Sequence, residues 1–117
     1  MVNDLPSVET TASGPCLVAK VRGVMDYVSR SHLREQLQHV IAPAQRPVVL
    51  DLEEVSFCDS AGLNVLLEAR RDAERAAVAL VLACVPVTLQ RVLHMTGADQ
   101  ILKVFATVTD AEAALTG

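Results

Sequence analysis

Aromatic side chains are almost missing from these 117 residues: Tyr27, Phe57 and Phe105 stand alone, and there is no tryptophan. Any core must therefore be built from Val, Leu, Ile and Ala, which suits strands buried on both faces with helices laid over them. Cysteine is sparse as well. Cys16, Cys58 and Cys84 are odd in number, widely spaced and without a C-x-x-C pair, so they read as structural thiols in a reducing compartment rather than a disulfide framework. His32, His39 and His94 lack metal-ligand spacing, because His32 and His39 lie about two helical turns apart. No apolar run approaches the ~20 residues that cross a bilayer. The opening residues 1–13 are polar and carry Asp4 and Glu9, unlike a secretory signal. Positive charge is short too. Ten Lys and Arg against fourteen Asp and Glu leave a net charge of −4, with Arg70-Arg71 the only adjacent basic pair, which argues against nucleic acid and against a membrane-surface helix. The expectation is a cytoplasmic protein that neither binds nucleic acid nor inserts into a membrane, and that needs no metal or cofactor.

Hydrophobic residues make up 51% of the chain, enough to form a core without cross-links. The length fits one domain over 1–117, with a core over about 8–115 and a flexible segment over 1–7. Val8 to Ala12 reads as a first strand, followed by a Gly14-Pro15 turn. Cys16 to Val24 alternates as a second strand, with Lys20 and Arg22 on one face and Leu17, Ala19 and Val21 on the other. A helix capped by Ser29 or Ser31 carries Leu33, Leu37, Val40 and Ile41 on one side. Pro47 to Leu52 is a buried central strand, residues 59–75 a helix, and Val78 to Cys84 another buried strand. Pro86 opens a third helix that Gly97 ends, Ile101 to Ala106 forms a last strand, and Thr109 with Glu112 makes a capping box for a terminal helix. The order β-β-α-β-α-β-α-β-α predicts an α/β fold with parallel neighbours joined by right-handed crossovers. Ligands and partners of such sheets gather at the carboxyl ends of the strands, which here means the loops at 23–26 and 57–62.

The second of these loops carries the chemistry. The strand leads into a helix whose first turn contains Ser60, with Asp59 as its N-cap. Unpaired N–H groups and a positive dipole end make that position tolerant of a phosphate. Gly62 permits close approach of another backbone, and Leu63 anchors the helix on the sheet. An ordinary D-S cap before a helix has the same appearance, so position alone does not establish a function.

From about Val8 to Leu115 the chain resembles the STAS-domain anti-sigma factor antagonists. Asp59-Ser60-Ala61-Gly62-Leu63 is similar to the family's D-S-[SA]-G-L around a phosphorylated serine, and Gly23-Val24-Met25-Asp26 to its G-E-L-D, with Val24 in place of the acidic residue. The resemblance implies a STAS-like domain: a mixed, mostly parallel sheet of about five strands with about four helices packed on it. It also implies a binding protein rather than an enzyme. The unphosphorylated form would bind an anti-sigma factor with serine kinase activity and release a sigma factor. Phosphorylation of Ser60 would end that binding, and a metal-dependent serine phosphatase would restore it. Partner contacts would fall on Asp26, Asp59, Ser60, Ala61, Gly62 and Asn64, and there is room for a weak homodimer. For Asp26 a capping role at the helix near Ser29 is an equal reading, and Asn64 also reads as a plain solvent-facing residue.

Three rivals remain. Cys58-Asp59-Ser60-Ala61-Gly62 is half of a G-x-S-x-G nucleophile elbow, with Cys where the first Gly belongs and no His in a triad position. A receiver domain would need an acidic pair and a Lys after the last strand, whereas Asp26 is a single carboxylate and Lys103 comes before its strand. The third keeps the fold and makes the chain a STAS subunit of a transporter or sensory complex, with Ser60 only an interface residue.

Overall fold

A computed structural model describes residues 6–116. Five strands form one sheet whose spatial order is the chain order: β1 (Ser7–Ser13), β2 (Cys16–Met25), β3 (Val48–Cys58), β4 (Leu80–Ala83) and β5 (Val104–Phe105). β1 and β2 pair antiparallel as a hairpin, and each later pair is parallel. Helices α1 (Arg30–Ile41), α2 (Ser60–Arg75) and α3 (Val87–Thr96) make the crossovers, and α4 (Val108–Thr116) closes the chain. The fold is the mixed α/β sheet anticipated from the element order.

The two faces of β3 explain its sequence. Val48, Leu50 and Leu52 point into the larger core with Leu33, Leu37 and Ile41 of α1, Leu63 and Leu66 of α2, and Leu89 and Leu93 of α3. Val49 points the other way, to a smaller core with Cys16, Val81, Ala83 and Ala111 of α4. A strand covered on both sides reads as an apolar run, here Val48, Val49, Leu50 and Leu52, interrupted by the buried Asp51, whose Oδ1 accepts from the Glu53 N–H at 3.1 Å. Beyond α4 the second face is open. It carries Lys20–Glu54, Arg22–Glu54 and Arg22–Glu9 ion pairs at 3.2, 3.2 and 3.3 Å, worth little individually at the surface.

β3 does not stop at Leu52, as its apolar run suggested, but continues to Cys58. It holds two more residues than the stretch of β2 it faces, with register shifts between Lys20 and Arg22 and between Gly23 and Val24. Such bulges bend a strand and re-aim its side chains. Gly23 sits at the second shift with φ +99°, a conformation open to glycine at no steric cost. Val55 consequently reaches the core while Glu53, Glu54 and Ser56 stay exposed.

Other boundaries also move. β4 is shorter than Val78 to Cys84 because the Val78 N–H still closes α2 by bonding Ala73 O at 2.9 Å, after Ala77 at φ 60°, and Cys84 turns left-handed at φ 56°. β5 shrinks to two residues because a 3-10 turn at Ala98–Gln100 and the Leu102 N–H bond to Ala98 O carry the chain helically up to it. Pro86 is the N-cap of α3 rather than its first residue, and Gly97 ends the helix at φ +78°. Thr107, not Thr109, caps α4, accepting from the Asp110 N–H at 3.0 Å. Ser31 lies inside α1, and Ser29 holds the cap position. Of the segment expected to be flexible, residues 1–5 lie outside the described residues, Pro6 is buried and Ser7 opens β1.

Candidate functional site

At the carboxyl edge of the sheet one residue, Asp59, separates β3 from α2. Its backbone is extended, and its carboxylate Oδ1 accepts from the N–H groups of Ala61 (2.9 Å) and Gly62 (3.1 Å), satisfying two of the donors a helix start leaves unpaired. The other oxygen, Oδ2, accepts from the Tyr27 N–H at 3.2 Å, and the Asp59 N–H donates to Met25 O at 3.2 Å. One aspartate therefore starts α2 and ties it to the loop between β2 and α1.

Gly62 is part of the same joint. It is buried, and a Cβ there would run into the Met25 carbonyl oxygen, 2.8 Å from Met25 Cβ and 2.9 Å from Cys58 Sγ. The backbone that approaches Gly62 is this chain's own, so its place in the site is to seat α2 rather than to face outward. Ser60, the first residue of α2, is exposed, as is Asn64 one turn later, and Ala61 is half-buried.

Asp26 sits on the neighbouring loop with its carboxylate engaged. Oδ1 accepts from the Ser29 N–H at 2.9 Å, while Ser29 Oγ accepts from the Asp26 N–H at 3.0 Å and donates to Val24 O at 2.9 Å. This reciprocal pair leads into α1, and the bonds from Ser29, its N–H first, hold the Asp26 carboxyl below its ordinary pKa. The geometry thus places Asp26 beside Asp59 through the intervening Tyr27, but turned toward Ser29. Cys58, half-buried, has its thiol pushed up to about 11 by burial and by the nearby Asp59 charge. It is a poor nucleophile at neutral pH. His94 lies near the C-terminal end of α3, paired with Asp99 at 3.0 Å, and Lys103 precedes β5. Both stand at the end of the sheet opposite Ser60, which removes the third member of a triad and the lysine of a receiver site.

Four large apolar side chains are exposed at the edge of the sheet that carries the serine, and sequence reasoning did not single them out. Tyr27 is 65% exposed, Val28 85%, Phe57 56% and Val87 64%. All four lie at the carboxyl edge, in the loop after β2, at the end of β3 and at the start of α3. Apolar groups gathered on one edge mark a surface used for association. The available signal was position for three of them, since Tyr27, Val28 and Phe57 fall outside the predicted core faces, whereas Val87 falls inside the predicted third helix and gave none. Arg30, the first residue of α1, lies over the Tyr27 ring at 4.5 Å from its centroid.

Residues 7–111 match the STAS domain family. The anti-sigma-F factor antagonist RsfB of Mycobacterium tuberculosis is 30% identical over 94 residues, covering 80% of this chain and 76% of that protein. The crystal structure of an anti-sigma factor antagonist from Mycobacterium paratuberculosis superposes with a TM-score of 0.88 at 23% identity, over 99% of this chain and 98% of that one. The Bacillus protein SpoIIAA in its phosphorylated form gives 0.66 at 20% identity over 92% and 98%; the anti-sigma factor antagonist SpoIIAA in its unphosphorylated form gives 0.75 at 20% over 95% and 97%. With a family match running from the first strand into the last helix, and with this sheet order and this serine-bearing joint, the chain belongs to the STAS domain family.

Proposed function

We propose that this protein is an anti-sigma factor antagonist, acting in the cytoplasm through the carboxyl edge of its sheet and switched by phosphorylation of Ser60. The observation that carries the proposal is an exposed serine at the first position of α2, directly after the Asp59 joint, on the edge of the sheet where Tyr27, Val28, Phe57 and Val87 are also exposed. The names of RsfB and of the two SpoIIAA forms support it.

In its unmodified state the apolar edge docks on an anti-sigma factor, which lets go of its sigma factor. That partner is also a serine kinase. The Ser60 oxygen takes the γ-phosphoryl group of the partner's ATP, an O–P bond forms, the bond to ADP breaks, and the hydroxyl proton leaves. A metal-dependent serine phosphatase hydrolyses the ester with water and returns the hydroxyl and inorganic phosphate. The phosphate adds about −1.5 to −2 charges next to Asp59 on a surface that association would desolvate. Since about 1.4 kcal/mol already changes affinity tenfold, the added charge suffices to end binding without refolding.

The test is capture of the anti-sigma partner by Ser60→Ala and Ser60→Asp proteins, with mass spectrometry of wild type after incubation with partner and ATP. Capture by the Ala form only, and phosphate on Ser60, are expected. Equal capture by both would overturn the switch and leave the edge as a constitutive interface of a larger complex.

A further inference from the structure

From the pairing of α1 and α2 we infer that Arg30 is the internal hydrogen-bond donor to the phosphate on Ser60, and that phosphorylation moves its guanidinium off Tyr27. The inference rests on Ser60 being the phosphate-bearing residue.

α1 and α2 both follow parallel strands and pack side by side, so both begin at the carboxyl edge. Their first residues, Arg30 and Ser60, stand at the same end of neighbouring helices. Packed helix axes lie about 8–10 Å apart, a gap that a long arginine from one side and a phosphoserine from the other can close. Between the helices runs a cleft of about 270 Å³ lined by Arg30, Ser31 and Arg34 of α1 and Ala61, Asn64 and Glu68 of α2. Two guanidinium groups thus face the first turn of α2 across a cleft that Ala61, the residue after the serine, lines and Ser60 itself does not.

Their commitments differ. Arg34 stands 2.6 Å from Glu68 Oε2. Arg30 makes no ion pair among the described residues and rests on the Tyr27 ring, a contact weaker than a charge-assisted bond to a dianion. Nor does Arg30 serve its own helix: a cation in the first turn opposes the macrodipole, and neither α1 nor α2 has an acidic residue in its first turn. Tyr27 is held to Asp59 by its N–H, which keeps the stacked guanidinium beside the joint. The charges around the phosphate would be Asp59, Asp26 and Glu68, with Arg34 as the second cation. A phosphate offers three oxygens to a planar fork that binds two at once. Once Arg30 turns to it, Tyr27 loses its cation, so the off state differs from the on state in the shape of the apolar edge as well as in charge.

The test places phosphoserine at position 60 during translation, so that no kinase is required. Phosphorus NMR follows the phosphate through its second ionisation, and proton NMR follows the ring of Tyr27, the sole tyrosine. In the wild-type background the phosphate should ionise about half a pH unit or more below the value found with Arg30→Gln. Arg34→Gln should give a smaller change. The Tyr27 ring signals should shift on phosphorylation only when Arg30 is present. Arg30 is exposed, and amide spectra establish that the variants are folded. Equal ionisation with and without Arg30, or a larger effect from Arg34→Gln, would overturn the inference. A kinase that ignores Ser60 would instead strike at the switch itself.

Discussion

Asp59 and Tyr27, 32 residues apart in the chain, are joined by a 3.2 Å hydrogen bond from the Tyr27 N–H to a carboxylate that at the same time caps α2. The helix that presents the serine and the loop that presents Tyr27 and Val28 therefore share one fastening.

Removing that fastening should loosen both at once. Asp59→Ala deletes an N-cap and leaves the exposed Tyr27 N–H to water, so a loss of about 1 kcal/mol is expected from urea unfolding. Asp59→Asn keeps an acceptor oxygen and should lose less than half of that. Hydrogen exchange at Tyr27 should accelerate in the Ala variant beyond the global change in stability. An Ala variant as stable as wild type would show that the cap is dispensable.

Gly62 admits no side chain. In Gly62→Ala the added methyl meets the backbone oxygen of Met25, which cannot rotate away as a side chain could. The cost should be about 3 kcal/mol or more, expressed as a lower thermal midpoint and, at temperatures where the protein remains folded, as shifted amide signals at Met25 and Cys58. A thermal midpoint within about a degree of wild type would contradict the close approach.

Stability should fall in acid partly through Asp26. Its folded pKa lies below the ordinary 3.8 because Ser29 bonds to the ionised form. The contribution is therefore complete above 3.8 and is lost as pH drops through the lower, folded value. Asp26→Asn should be less stable than wild type near neutrality, with the gap closing below about pH 4. A gap that stays constant from pH 6 to pH 3 would contradict the link.

Cys58 should behave as a quiet thiol. A pKa raised from 9.0 to about 11 lowers the thiolate fraction at pH 8 roughly a hundredfold, so iodoacetamide should modify Cys58 about a hundred times more slowly in the folded protein than in urea. Because the folded pKa is the higher one, this thiol favours folding below pH 9 and ceases to do so as pH climbs toward 11. Rapid labelling of the native protein at pH 8 would refute the assignment.

How much of this was legible in the chain follows from where each constraint originates. The V-V-L-D-L strand declared itself because both of its faces are covered, and Asp59-Ser60 because caps have a local chemistry. The remainder of β3 was hidden. Its acidic pair and its two bulges break the alternation by which strands are recognised. Ala77 and Cys84 carry no sign that they will turn left-handed and clip β4. Thr107 and Thr109 are equal candidates for a cap until the path of β5 is known. Gly62 suggested a close approach, but that Met25 makes it is a tertiary fact. The exposed apolar edge was obscured for a simpler reason: Tyr27, Val28, Phe57 and Val87 are the residue types expected inside.

A joint one residue long has no hinge. A change on its outer side has no loop between β3 and α2 through which to be passed on, because only Asp59 lies between them. The message stays local, confined to side chains within reach, and only a molecule already touching that rim can read it. Under the proposed switch, a joint of this kind would register the phosphate without a second fold.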